Sequence, residues 1–186
     1  ESAARRFKSA LEKLGDSADV LRGDALLGLA MAQCYGKQDP SPFELAIAAY
    51  GDALKFEDQK LTVYVHRAEA YQSRDLFLRS LGRASHDDRV RCLTDCDAAI
   101  AIDPEIPETL MRRHLMAHDL AMEDVKSSEE VVVLLDRLVA SCEEVTRRWP
   151  DHLYVLGVCA HARVLRGCFS QRLGKDPTTD FEAADA

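Results

Sequence analysis

Residues 92–104 read Cys92-Leu93-Thr94-Asp95-Cys96-Asp97-Ala98-Ala99-Ile100-Ala101-Ile102-Asp103-Pro104. Cys92, Cys96 and Ala99 are separated by four residues and then three, which sets all three on one face of an α-helix. Asp103-Pro104 ends that helix, because proline carries no N–H and pushes the residue before it out of the α region. The same three-point pattern recurs on both sides: Ala3, Phe7 and Ala10; Ala46, Tyr50 and Ala53; Leu138, Cys142 and Val145. With Ala184, the first members of these sets are 43, 46, 46 and 46 residues apart.

A second series, Ala25, Ala68, His114 and Ala160, runs at the same spacings of 43, 46 and 46. The repeating unit is therefore a pair of helices. Intervals of ten residues separate Asp58 from Ala68, Pro104 from His114 and Pro150 from Ala160, so the connection from one pair to the next is uniform. Length varies inside the pairs instead.

Capping signals agree with this division. Ser41-Pro42-Phe43-Glu44 offers an N-cap, a proline at the first helical position and a capping-box glutamate; Ser85 with Asp88 and Ser127 with Glu130 are similar starts. Gly36, Gly82 and Gly174 follow apolar-periodic runs and suit helix C-caps, and all six prolines fall at or beyond expected ends. The pattern predicts first helices over about 18–35, 60–80, 107–123 and 152–172. Second helices are predicted over about 2–14, 42–56, 86–102 and 128–148.

Composition supports an all-α chain. Of 186 residues, 47% are hydrophobic, 30% charged and only 6% aromatic, a mixture that favours helices over a β-sandwich. A formal net charge of −8 repels nucleic acid phosphates and anionic membranes and attracts basic partners. The six cysteines sit mostly inside apolar helical patterns, which reads as reduced thiols in a cytoplasmic, reducing setting. No stretch approaches the roughly 18 apolar residues of a membrane span.

Residues 92–104 resemble the second helix of a tetratricopeptide repeat (TPR), which closes in Asp-Pro. His66-Arg67-Ala68-Glu69-Ala70-Tyr71 resembles the small-residue segment of the first helix, and Arg112-Arg113 occupies the twin-basic place that often opens the next. Ala46 to Ala53 and Ala3 to Leu11 show the pattern more weakly. The family period is about 34 residues, whereas this chain repeats at 43 to 46, a length also typical of HEAT and armadillo repeats. The surplus falls between the two helices of a pair, where longer first helices would absorb it.

The resemblance implies a right-handed superhelical stack of antiparallel helix hairpins. Residues 1–15 would be the second helix of a truncated repeat, with repeats at 16–58, 59–104, 105–150 and, incomplete, 151–186. Both ends would dock on neighbouring repeats or partner subunits. It further implies a non-catalytic scaffold or adaptor that needs no cofactor and binds a peptide or helix on the concave face lined by the first helices. On that face the resemblance places Arg22, Gln33, His66, Glu69, Gln72, Met111, Arg112, His118, Tyr154 and His161, together with Leu29, Val65 and Leu115.

TPR domains that bind chaperone tails grip a terminal carboxylate with Lys, Asn and Arg side chains. Here Arg22 and Arg112 keep the charge, but Leu26 and His66 stand for asparagines and Glu108 for a lysine. Glu108 would repel a carboxylate, so free acidic C-terminal tails are not expected to bind.

Other constellations have plainer readings. His114 and His118 are four apart, a spacing able to hold a metal, but a third ligand is not evident and no metal site is expected. Cys92 and Cys96 share that spacing on the core face. Arg74, Arg79, Arg83, Arg89 and Arg91 with His86 form one basic cluster, and Asp75, Asp87 and Asp88 among them point to surface ion pairing. The sequence shows no Gly-rich phosphate loop or nucleophile elbow. Two alternatives to an adaptor stand open: an RNA-associating helical repeat, resting on the arginine cluster, and an obligate subunit of a large assembly.

Overall fold

A computed structural model describes residues 3–14, 20–33, 39–83, 85–123 and 127–185. Among them all regular structure is helical: α1 (Ala3–Leu14), α2 (Val20–Gln33), α3 (Ser41–Ala53), α4 (Lys60–Ser80), α5 (His86–Ile102), α6 (Pro107–Glu123), α7 (Ser128–Arg148), α8 (Leu153–Arg172) and α9 (Thr178–Asp185), with a 3-10 turn at Glu57–Gln59. The helices group into two compact units, Glu1–Pro104 and Glu105–Ala186. The division falls at a position where the spacing sets a repeat boundary.

In the first unit each helix packs on the next, and α2 also touches α4. The contacts run in opposite senses along neighbouring helices. Phe43 meets Phe77 with ring centroids 5.6 Å apart and Tyr50 meets His66 at 6.1 Å, so α3 and α4 are antiparallel. Arg67 binds Asp95 while Arg74 binds Asp88, so α4 and α5 are too. The second unit repeats this order. Thr146 faces Cys159 and Asp136 faces Arg166 between α7 and α8; Arg166 faces Asp180 and Arg163 faces Ala183 between α8 and α9. There α6 also touches α8.

Three of the four three-point sets form the cores; in the first, Ala3 is exposed and Phe7 and Ala10 are only half-buried. Ala46, Tyr50 and Ala53, Cys92, Cys96 and Ala99, and Leu138, Cys142 and Val145 are all at most 5% exposed. Alanines and thiols at these positions let helix axes come close, while larger neighbours such as Phe43, Val63 and Leu135 fill the remaining space. Burying such a side chain contributes about 1.5–3 kcal/mol.

Local signals set the ends. Ser85 accepts the Asp88 N–H at 3.3 Å, and Ser127 with Glu130 closes a reciprocal capping box. Gly82 and Gly174 adopt φ of 71° and 72° just past α4 and α8, the left-handed C-cap that glycine adopts without strain. One capping expectation is corrected. Ser41 is the first helical residue and not the N-cap, because the Asp39 carboxylate takes both its N–H (3.0 Å) and its hydroxyl (2.8 Å). Gly36 lies outside the described residues. The surplus repeat length is helical in both members of a pair: α4 has 21 residues, α8 has 20 and α7 has 21.

Candidate functional site

The ten candidate groove residues fall five in each unit. In the first unit, the N-terminal halves of α2 and α4 and the turn before α4 enclose an open groove of about 380 Å³. Val20, Leu21 and Asp24 line it from α2, Asp58 and Gln59 from the turn, and Thr62 and His66 from α4. Leu21 is 61% exposed.

At its base Asp24 organises a three-residue network. Its Oδ1 accepts from the Tyr50 hydroxyl at 2.7 Å and lies 2.6 Å from His66 Nδ1. Tyr50 reaches across from α3 because Gly23 presents no side chain; a Cβ there would lie 2.3 Å from the tyrosine ring. Burial pushes the Asp24 carboxyl up, but the His66 and Tyr50 hydrogen bonds together outweigh it and hold the group below its ordinary value. Burial, and then the bond to Asp24, pushes the Tyr50 phenol well up.

The lining is rich in acceptors. Asp24 and Asp58 supply carboxylates, and the Gln59 side-chain oxygen is buried with no hydrogen-bond partner. Among the described residues, neither lysine nor arginine lines the groove. The arrangement is suited to receive N–H donors and positive charge.

His66 is the candidate that this groove uses. Glu69 and Gln72 lie further along α4, partly exposed, Arg22 lies on α2 and Gln33 at its end. Leu26 is 9% exposed and belongs to the core.

The second unit corrects two expectations. Met111 is fully buried, its Sδ 3.8 Å from Cys142 Sγ, and Arg112 is only 7% exposed, so neither presents a groove surface. Met111 turns onto α7 because the inner face of α6 runs through Met111 and Leu115. Tyr154 is partly buried against the same core and His161 is exposed on α8. Glu108 is paired with His152 at 2.8 Å. His118 lines a separate pocket between α6 and α7, with His114.

The basic cluster of the first unit is bound to acids. Arg74 pairs with Asp88, and Asp75 accepts from both Arg79 (2.8 Å) and Arg89 (3.1 Å). Asp75 and Asp88 are each 1% exposed and Arg89 is 5% exposed, so three of the five arginines are engaged by buried carboxylates.

Sequence reasoning missed Asp24, Asp58 and Gln59. The spacing places Tyr50 on a helix face, but its hydroxyl bond to Asp24 spans 26 residues. The signal present was Gly23, a glycine inside a helix with a large ring on the next helix of the same pair.

No group of three or more His, Cys, Asp or Glu side chains among the described residues is placed to hold a metal, and no helix there is long and apolar enough to cross a membrane. In comparisons with known proteins, no family model, curated protein or solved structure matches the chain.

Proposed function

We propose that this chain is a non-catalytic, TPR-like interaction module that binds a basic peptide segment of a partner protein in the groove between α2 and α4. Within each unit the hairpins would stack in the right-handed superhelical sense, with the first helices on the concave side. In the groove, an arginine or lysine of the partner meets Asp24, Asp58 and the Gln59 oxygen, and an adjacent aliphatic residue rests on Leu21.

The observation that carries this reading is the buried, unpartnered Gln59 oxygen beside two carboxylates. An unsatisfied buried acceptor costs about 1–3 kcal/mol, which a donor from a ligand relieves. The net charge of −8 adds long-range attraction for a cationic segment.

A peptide array screened against the chain and against a Leu21→Glu/Asp58→Arg variant tests it. Enrichment of basic-aliphatic sequences that disappears in the variant is expected. No enrichment, or enrichment that the variant keeps, contradicts the proposal.

A further inference from the structure

The second unit holds a pocket that the peptide reading does not use. From α6 it takes His114, Ala117, His118 and Ala121, and from α7 Leu134, Arg137, Leu138 and Ser141. Each helix contributes positions i, i+3, i+4 and i+7, so two facing stripes stand apart with space between them. That space is about 190 Å³, the liquid volume of roughly six waters.

Half of the lining is alanine and leucine, and one polar group of the other half is held without a partner. The His118 side chain is only 10% exposed, and its Nε2 is buried with no hydrogen bond. On the other side of the ring, Nδ1 is 3.5 Å from Asp119 Oδ1. A buried ring nitrogen left unmatched costs about 1–3 kcal/mol, and so large an omission beside an apolar pocket marks a place for a ligand atom.

We infer that this pocket binds a small aliphatic carboxylate, its acid group held between His118 Nε2, Arg137 and Ser141 and its hydrocarbon arm against Ala117, Ala121, Leu134 and Leu138. The pocket lining contains no carboxylate among the described residues, and Arg137 gives it a fixed positive charge at an exposed position. The ligand carboxylate accepts from Nε2–H, while Nδ1 on the far side of the ring faces Asp119. The other charged or titratable groups near the two rings are His114 and Arg113 on α6 and Arg137 and Glu144 on α7.

A transition metal is the competing occupant, since His114 and His118 share one helical face. Arg137 in the lining and the lack of a third ligand among the described residues count against it.

Nuclear magnetic resonance of the histidine ring nitrogens, during titration with 4-methylpentanoate, its uncharged amide and zinc ion, separates these occupants. Saturable movement of the His118 Nε2 resonance with the carboxylate, none with the amide, and affinity weakened about tenfold by Arg137→Gln are expected. His118→Phe should abolish carboxylate binding as measured by calorimetry, and the exposed Arg137→Gln substitution covers the case in which the histidine variant fails to fold. Equal shifts with carboxylate and amide, undiminished binding by Arg137→Gln, or a response to zinc alone would overturn the inference. Because the site lies in the second unit, its failure leaves the α2/α4 groove untouched.

Discussion

Arg166 on α8 binds Asp180 on α9 across 14 residues, the same interval that separates Arg74 on α4 from Asp88 on α5. The second pair lies two 46-residue steps from the first, so the hairpin carries a repeated ion pair as well as repeated small residues. Asp88 is 1% exposed, and removing its partner strands a buried charge. Arg74→Met should cost about 3 kcal/mol in urea unfolding, and Arg74→Met/Asp88→Leu should recover most of that. Asp180→Ala should release only α9, visible as faster amide exchange there.

Close helix approach at Ala68 gives a second expectation. Ala68 is fully buried and its carbonyl accepts the Cys92 thiol at 3.2 Å. Ala68→Trp should destabilise the first unit by about 3 kcal/mol or more, whereas Ala101→Trp on an exposed face should stay within about 0.5 kcal/mol. Equal effects of the two in urea unfolding would show that the packing is wrong.

The thiols of the second unit should behave according to access. The bond with Cys142 pulls the Cys159 thiol down despite burial, and pushes Cys142 up. Both are buried, at 3% and 1% exposure, while Cys168 is exposed. Iodoacetamide should modify Cys168 first in the native protein, and reach Cys159 only as fast as the unit opens. Peptide mapping that finds Cys159 labelled as quickly as Cys168 would refute this packing.

Acid should weaken the second unit through His114. Burial, and then Arg113, holds its imidazole below the ordinary 6.5, with Glu144 acting in the opposite direction. Between 6.5 and the lowered folded value the unfolded chain binds a proton that the folded chain does not, so stability falls with pH through that window. His114→Gln should flatten the change in unfolding free energy between about pH 7.5 and pH 5.5.

Much of the helix frame was legible because its signals are local. Cys92, Cys96 and Ala99 announce a buried stripe by spacing alone, and Ser85, Ser127, Gly82 and Gly174 mark ends through neighbours a few residues away. The site was less legible because its partners are distant. Asp24 meets Tyr50 and His66 from 26 and 42 residues away, and no period links an aspartate to them. Met111 and Arg112 were misplaced because a repeat offset fixes a helix position but not which neighbour its face meets. The Arg74–Asp88 echo at Arg166–Asp180 stood in the sequence, yet opposite charges on two helices become a pair only once the hairpin between them is drawn.

The basic-peptide reading of the α2/α4 groove is tested most directly by fluorescence anisotropy. A labelled peptide alternating arginine and leucine should bind saturably, lose about tenfold in affinity with either Leu21→Glu or Asp58→Arg, and weaken as salt rises. A glutamate-leucine counterpart that binds as well, or arginine-leucine binding indifferent to both substitutions, would contradict it.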